Sequence, residues 1–189
     1  MSEYLLSTSG LTKQFGHHKA VNNVDLHVKK GAIYGFIGRN GAGKTTFLKM
    51  ISGLSKPTDG EIQMFGYRNE ELKNVRSRIS CLIEAPGIYG NMSAYHNLAI
   101  KCRLFGINDS KYIENILKIV GLSEVGKKKT KHFSLGMKQR LGIGLALVGE
   151  PDLLVLDEPI NGLDPQGIAE IRDMLLRLKE EQNMTIIIR

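Results

Sequence analysis

The 189-residue sequence predicts an α/β fold with a mostly parallel sheet. Three observations predict it: strand-like runs fill the first third, helical periodicity fills the middle, and apolar strands alternate with an amphipathic helix in the last third. With 42% hydrophobic and 24% charged residues, the chain is long enough for one substantial core and one domain.

The elements follow in order. Residues 4–15 read as a strand, and Val24, Leu26 and Val28 alternate with Asp25 and His27 in a second one. The run Ala32-Ile33-Tyr34-Gly35-Phe36-Ile37 is of the buried type and leads into glycines. Residues 44–54 carry helical spacing through Phe47, Leu48, Ile51 and Leu54, and Pro57 and Gly60 mark the turn beyond. Residues 61–65 and 79–83 are short strands, followed by helices over 93–105, 110–120 and 135–148. An apolar strand covers 152–157, and an amphipathic helix covers 165–182 with Ile168, Ile171, Leu175 and Leu178 on one face. Residues 184–188 are again strand-like. There is no internal repeat and no low-complexity segment.

No apolar run approaches the roughly 18 residues that a membrane span needs, so a soluble chain is expected. The start, Met1-Ser2-Glu3-Tyr4-Leu5, lacks the basic stretch and apolar core of a secretory signal, which places the chain in the cytoplasm. Cys81 and Cys102 have neither CxxC spacing nor paired histidines, and read as buried thiols in a reducing compartment. The net charge of +7 admits nucleic acid or an anionic membrane surface as partner. Its densest run, Lys127-Lys128-Lys129-Thr130-Lys131, lies in a polar connection without interleaved aromatics. It therefore reads as a solvated loop, and no nucleic-acid partner is expected.

Gly38-Arg39-Asn40-Gly41-Ala42-Gly43-Lys44-Thr45 matches the phosphate-loop pattern GxxxxGK[ST] in the context that pattern requires, after a strand and at the start of a helix. Glycines let backbone N–H groups curl around phosphate oxygens, and the helix directs its positive dipole end at them. Lys44 is placed to reach terminal phosphates, and the Thr45 hydroxyl to hold Mg2+. The alternative is an ordinary glycine-rich turn.

Leu153-Leu154-Val155-Leu156-Asp157-Glu158 is a buried strand ending in two acids, where α/β proteins place ligand chemistry. Asp157 is expected in the metal shell, and Glu158 as the general base that takes a proton from water. Such a run also occurs for purely structural reasons, and it gains meaning beside the phosphate loop.

Between these motifs lies Phe133-Ser134-Leu135-Gly136-Met137-Lys138-Gln139-Arg140. Ser134 is suited to cap a helix and to offer its hydroxyl and free N–H groups to an anion. A plain serine cap is the alternative. The segment resembles the signature of ABC-type ATPases, LSGGQ followed by basic and glutamine residues. Ser134 and Gly136 match, while Leu135 and Met137 replace a glycine and a glutamine.

Further matches extend the resemblance over almost the whole chain. Asn161-Gly162-Leu163-Asp164 looks like the family's D-loop, which crosses to a partner subunit. Phe15 lies where the family places an aromatic that stacks on adenine, although a lone Phe at a strand end also suits a core. Glu84, in Ile83-Glu84-Ala85-Pro86-Gly87-Ile88-Tyr89, takes the place of the family's metal-touching Q-loop glutamine. An acid there resembles the bacitracin-resistance and lantibiotic-immunity branch, with a solvated strand-end acid as the other reading. After Thr185-Ile186-Ile187-Ile188 the family expects a switch histidine. His17, His18, His27, His96 and His132 all lie upstream and read as surface or packing residues.

The resemblance implies a P-loop NTPase core over residues 1–88 and 143–189, an N-terminal antiparallel β lobe, an inserted helical subdomain over about 89–142, and a C-terminal truncation. It implies ATP and Mg2+ as cofactors. ATP contacts would come from Phe15, Gly38, Arg39, Asn40, Gly41, Ala42, Gly43, Lys44, Thr45 and Thr46, and metal contacts from Thr45, Asp157 and Glu84. Ser134 and Gly136 would meet ATP held by a second ATPase domain in a homodimer or heterodimer. The expected function is the ATPase motor of a transporter exporting an antibiotic peptide or similar compound, docked through residues 84–97 on membrane permease subunits at the inner face of the membrane. Tyr89 and Met92 are candidate contacts. The alternatives are a soluble ABC ATPase in translation or DNA repair, or a nucleotide-binding fragment with little turnover.

Overall fold

Two four-stranded sheets organise the chain, and the structure, a computed structural model, describes residues 4–189. In the first sheet β1 (Tyr4–Phe15) and β2 (His18–Lys29) form a long antiparallel hairpin. The second sheet begins with β3 (Ile33–Gly35). β4 (Asp59–Met64) and β5 (Tyr67–Arg68) complete the first in the order β2-β1-β4-β5. β6 (Ile79–Leu82), β7 (Leu153–Leu156) and β8 (Thr185–Ile188) join β3 in an all-parallel sheet of order β3-β8-β7-β6.

Among the described residues, five α-helices accompany them: α1 (Lys44–Ile51), α2 (Ala94–Leu104), α3 (Ser110–Ile119), α4 (Leu135–Leu147) and α5 (Pro165–Gln182). The side chains of Ser93, Asp109, Ser134 and Asp164 cap α2 to α5, each accepting a backbone N–H of the first turn. α1 differs. Its cap is Gly43, which has no side chain, so the first amides of α1 remain available to a ligand.

β7 explains how the core divides. All four of its residues are fully buried, and alternate side chains point to opposite faces. Leu153 and Val155 join Leu6, Leu11, Phe47, Leu48 and Ile51 under the antiparallel lobe. Leu154 and Leu156 join Leu98, Leu122, Leu141, Ile143 and Ile171 under the helices. A continuous apolar run without alternation is what a strand covered on both faces requires. Arg78 ties the lobes together: it bonds Asp152 at 2.7 Å and lies 3.9 Å over the Phe65 ring. The hydrogen bond to Asp152 raises its pKa.

Several expectations change. The buried run at 32–37 shrinks to three residues of strand, and Ile37 is 96% exposed. β3 is an edge strand, so only one side of it is paired. α1 stops at Ile51, where the Ser52 hydroxyl bonds the Leu48 carbonyl, and Leu54 is exposed. On α5, Ile168 is also exposed, and Met174 completes the apolar face in its place. β5 and the 3-10 turns of Asn69–Arg78 are additions, because their polar sequence carries no hydrophobic period. In the lysine-rich loop the lysines are exposed as expected, but Thr130 is fully buried and bonds the Tyr89 carbonyl. Cys102 is buried and Cys81 half-buried, and burial raises both thiol pKa values. Among the described residues, no helix is long and apolar enough to cross a membrane.

Leu154 sits at the sheet centre with no exposed surface. Leu154→Ala should cost about 2–5 kcal/mol of stability, measurable as a drop in denaturant midpoint.

Candidate active site at the edge of the parallel sheet

In a parallel sheet all carboxyl ends lie along one edge, with neighbours about 4.8 Å apart. Here β3 delivers the loop of residues 38–45, β8 delivers Arg189, β7 delivers Asp157 and Glu158, and β6 delivers Ile83 and Glu84. The site is assembled by strand order.

The loop turns on Gly41 and Gly43, both at φ 79°. A Cβ at Gly43 would fall 1.9 Å from the Ala20 carbonyl oxygen on β2, so glycine is required there by space as well as by φ. Lys44 is 8% exposed, and its Nζ donates to the Gly38 and Arg39 carbonyls, each at 2.6 Å. The Thr45 hydroxyl donates to Asp157 Oδ2 at 2.8 Å. Thr45 of the loop and Asp157 of the acid pair thus meet.

Asp157 is buried, and its backbone N–H bonds the Leu82 carbonyl. Glu158 sits in the left-handed region at φ 50°, a costly conformation for a side-chain-bearing residue. Its Oε2 accepts from Asn161 Nδ2 at 3.1 Å. The residue that sequence reasoning missed is Arg189. Its Nη1 donates to Thr45 Oγ1 at 3.1 Å and Asp157 Oδ1 at 2.8 Å, and its Nη2 lies 2.8 Å from Glu158 Oε1. The available signal was a lone cation at the carboxyl end of an apolar strand.

Thr45 and Asp157 present a hydroxyl and a carboxylate, hard oxygen donors suited to Mg2+, with a guanidinium already standing between the acids as a cation. No group of three or more His, Cys, Asp or Glu side chains among the described residues forms a metal cage. An open oxygen pair fits an ion that retains much of its water. Glu84 is turned elsewhere: at φ 67°, its carboxylate pairs with Lys49 Nζ at 2.7 Å on α1.

The remaining predicted residues are spread more widely. Phe15 is 56% exposed at the end of β1, which removes the core reading, and Lys13 Nζ lies 5.1 Å from its ring. A recess of about 350 Å³ opens between β2 and the loop, lined by Lys19, Ala20, Asn22, Gly41, Ala42 and Gly43 among others. Phe15 is not part of that lining. Thr46 is half-buried in the first turn of α1. Ser134 is exposed and caps α4, with its Oγ 3.2 Å from Met137 N. Gly136 lies against Leu163, and Gly162 against Leu135, so the signature-like and D-loop-like segments adjoin. No hydrogen bond links Ser134 or Gly136 to residues 38–45 among the described residues. A separate cavity of about 620 Å³, lined by the end of α1, by β4 and by the 3-10 segment after β5, contains none of the predicted site residues.

Comparison with known proteins agrees with this geometry. The ABC transporter family model matches residues 21–161. The bacitracin transport ATP-binding protein BcrA of Enterococcus faecalis is 49% identical over 187 residues, covering 98% of this chain and 61% of that protein. The lantibiotic transport ATP-binding protein SrtF of Streptococcus pyogenes is 43% identical over 184 residues, covering 97% of this chain and 79% of that protein. The chain therefore spans about three fifths of the length of the first of these relatives. A dimeric ATP-binding cassette, solved in a post-hydrolysis state with ADP and Pi, superimposes with a TM-score of 0.83 at 26% identity, over 97% of this chain and 86% of that one.

Gly43→Ala should weaken binding of a fluorescent ATP analogue by about tenfold or more, because the loop must move off Ala20 and Cβ strain is added at positive φ. Equal affinity in a titration would contradict this account of the loop.

Proposed function

The chain belongs to the ABC transporter family, and we propose that it is the ATP-binding and ATP-hydrolysing motor of an exporter for an antibiotic peptide or similar compound. The observation that carries this is the 2.8 Å bond from Thr45 to Asp157, which joins the loop and the acid pair across 112 positions of sequence. The names of the bacitracin and lantibiotic transport relatives support the substrate class.

In this reading the amides of residues 38–45 and the uncapped first turn of α1 receive phosphate oxygens. Lys44 exchanges its two loop carbonyls for the terminal phosphates. Thr45 and Asp157 would hold Mg2+, which would supply neutralisation of phosphate charge, while Glu84 stays paired with Lys49. Glu158 accepts the proton of the attacking water, and Asn161 holds its other oxygen in place. Phe15, exposed at the end of β1, offers a face to adenine.

Hydrolysis requires a second ATPase domain in this scheme. Ser134 and Gly136 open α4 toward solvent and would receive the γ-phosphate held by the partner, and the similarity to a dimeric cassette supports that arrangement. The nucleotide-binding core comprises residues 1–88 and 143–189, of which 1–3 lie outside the described residues, and the helical subdomain about 89–142. Permease subunits dock on residues 84–97, which keeps the domain at the inner face of the membrane. Tyr89 suits that contact: its backbone is held by Asn97 and Thr130, while its side chain is 58% exposed.

Glu158→Gln should leave ATP binding intact, lower turnover by about 10²–10⁴-fold, and accumulate an ATP-bound dimer visible by size-exclusion chromatography with ATP and Mg2+. Lys44→Ala should lose binding of the fluorescent analogue. A Glu158→Gln protein that stays monomeric under those conditions, or a wild-type protein that binds no nucleotide, would sink the reading.

A further inference from the structure

We propose that Arg189 is a built-in cation that holds the metal position of this site against divalent ions. The inference rests on the site reading above and concerns how that site is regulated.

Sheet order places the residue. β8 lies between β3 and β7, so the position after Ile188 has the phosphate loop on one side and the acid pair on the other. The backbone is held there twice: Arg189 N–H donates to the Leu156 carbonyl at 3.0 Å, and its carbonyl accepts from Glu158 N–H at 2.8 Å. The side chain therefore enters the site from a fixed point.

The contacts of the guanidinium are the groups assigned to the metal and to the base. It touches the Thr45 hydroxyl, one oxygen of Asp157 and one oxygen of Glu158, all within 3.1 Å. The Arg189 side chain is 16% exposed and that of Asp157 is 5% exposed. A buried carboxylate needs a compensating charge, and arginine cannot give up its proton to vacate the position. A divalent ion reaching Asp157 must displace this cation or accept its repulsion at close range. The displacement has an opening, because Arg189 Nε is buried and finds no acceptor among the described residues.

The test uses Mn2+ as the probe, in the absence of nucleotide, with free ion counted by electron paramagnetic resonance. Arg189→Ala should bind Mn2+ about tenfold or more tightly than wild type. Arg189→Lys, which keeps the charge, should stay close to wild type. In EDTA, Arg189→Ala should also melt several degrees lower, and Mn2+ should restore most of that loss while moving the wild type little. Equal Mn2+ affinity in wild type and Arg189→Ala, absence of Mn2+ binding by Arg189→Ala, or equally tight binding by Arg189→Lys and Arg189→Ala would each overturn the proposal. Because nucleotide is left out, a wild-type protein unable to bind ATP defeats the proposed function without touching this comparison.

Discussion

Everything at the site depends on a geometric constraint: four parallel strands end side by side, and each end carries a different chemical group. Hydrogen-bonded strands cannot drift apart by more than a fraction of their spacing while both faces of the sheet are packed. Leu153 and Val155 hold one face and Leu154 and Leu156 the other, all without exposed surface. The Thr45 to Asp157 bond is the direct consequence. A rigid floor of this kind positions reacting groups better than loops alone could.

The charge arrangement follows from that floor. Lys44 and Arg189 are cations, and Asp157 and Glu158 are carboxylates, gathered where exposure is low for all but Glu158. Each buried charge is answered by an opposite charge or by carbonyl oxygens, as the cost of burial demands. Lys44 rests on two carbonyls of its own loop, a set of acceptors that phosphate oxygens can replace one for one. Glu158 stands at φ 50° while its backbone N–H is tied to Arg189, and strain of this sort persists only where surrounding contacts over-determine it.

The antiparallel lobe and the helical segment serve this edge from opposite sides. β2 presses the Ala20 carbonyl against Gly43 and so shapes the loop from behind. The helical segment packs on the other face of the sheet and presents Ser134 at the uncovered start of α4. Arg78, fixed to Asp152 and stacked over Phe65, links the two sheets near the amino ends of β6 and β7, at the end of the strands remote from the chemistry.

Local signals were legible in the sequence: the alternation of β2, the apolar run of β7, the period of α5, the glycine pattern of the loop, and Ser134 as a helix cap. Each depends on residues within a few positions of one another, so spacing alone exposes it. Strand order carries no such local trace. Only the tertiary structure set β8 between β3 and β7, brought Arg189 among Thr45, Asp157 and Glu158, turned Glu84 to Lys49, and left Phe15 and Ile37 in solvent. A side chain's charge partner and its exposure depend on which distant strand lies beside it, and that is settled by packing over the whole sheet.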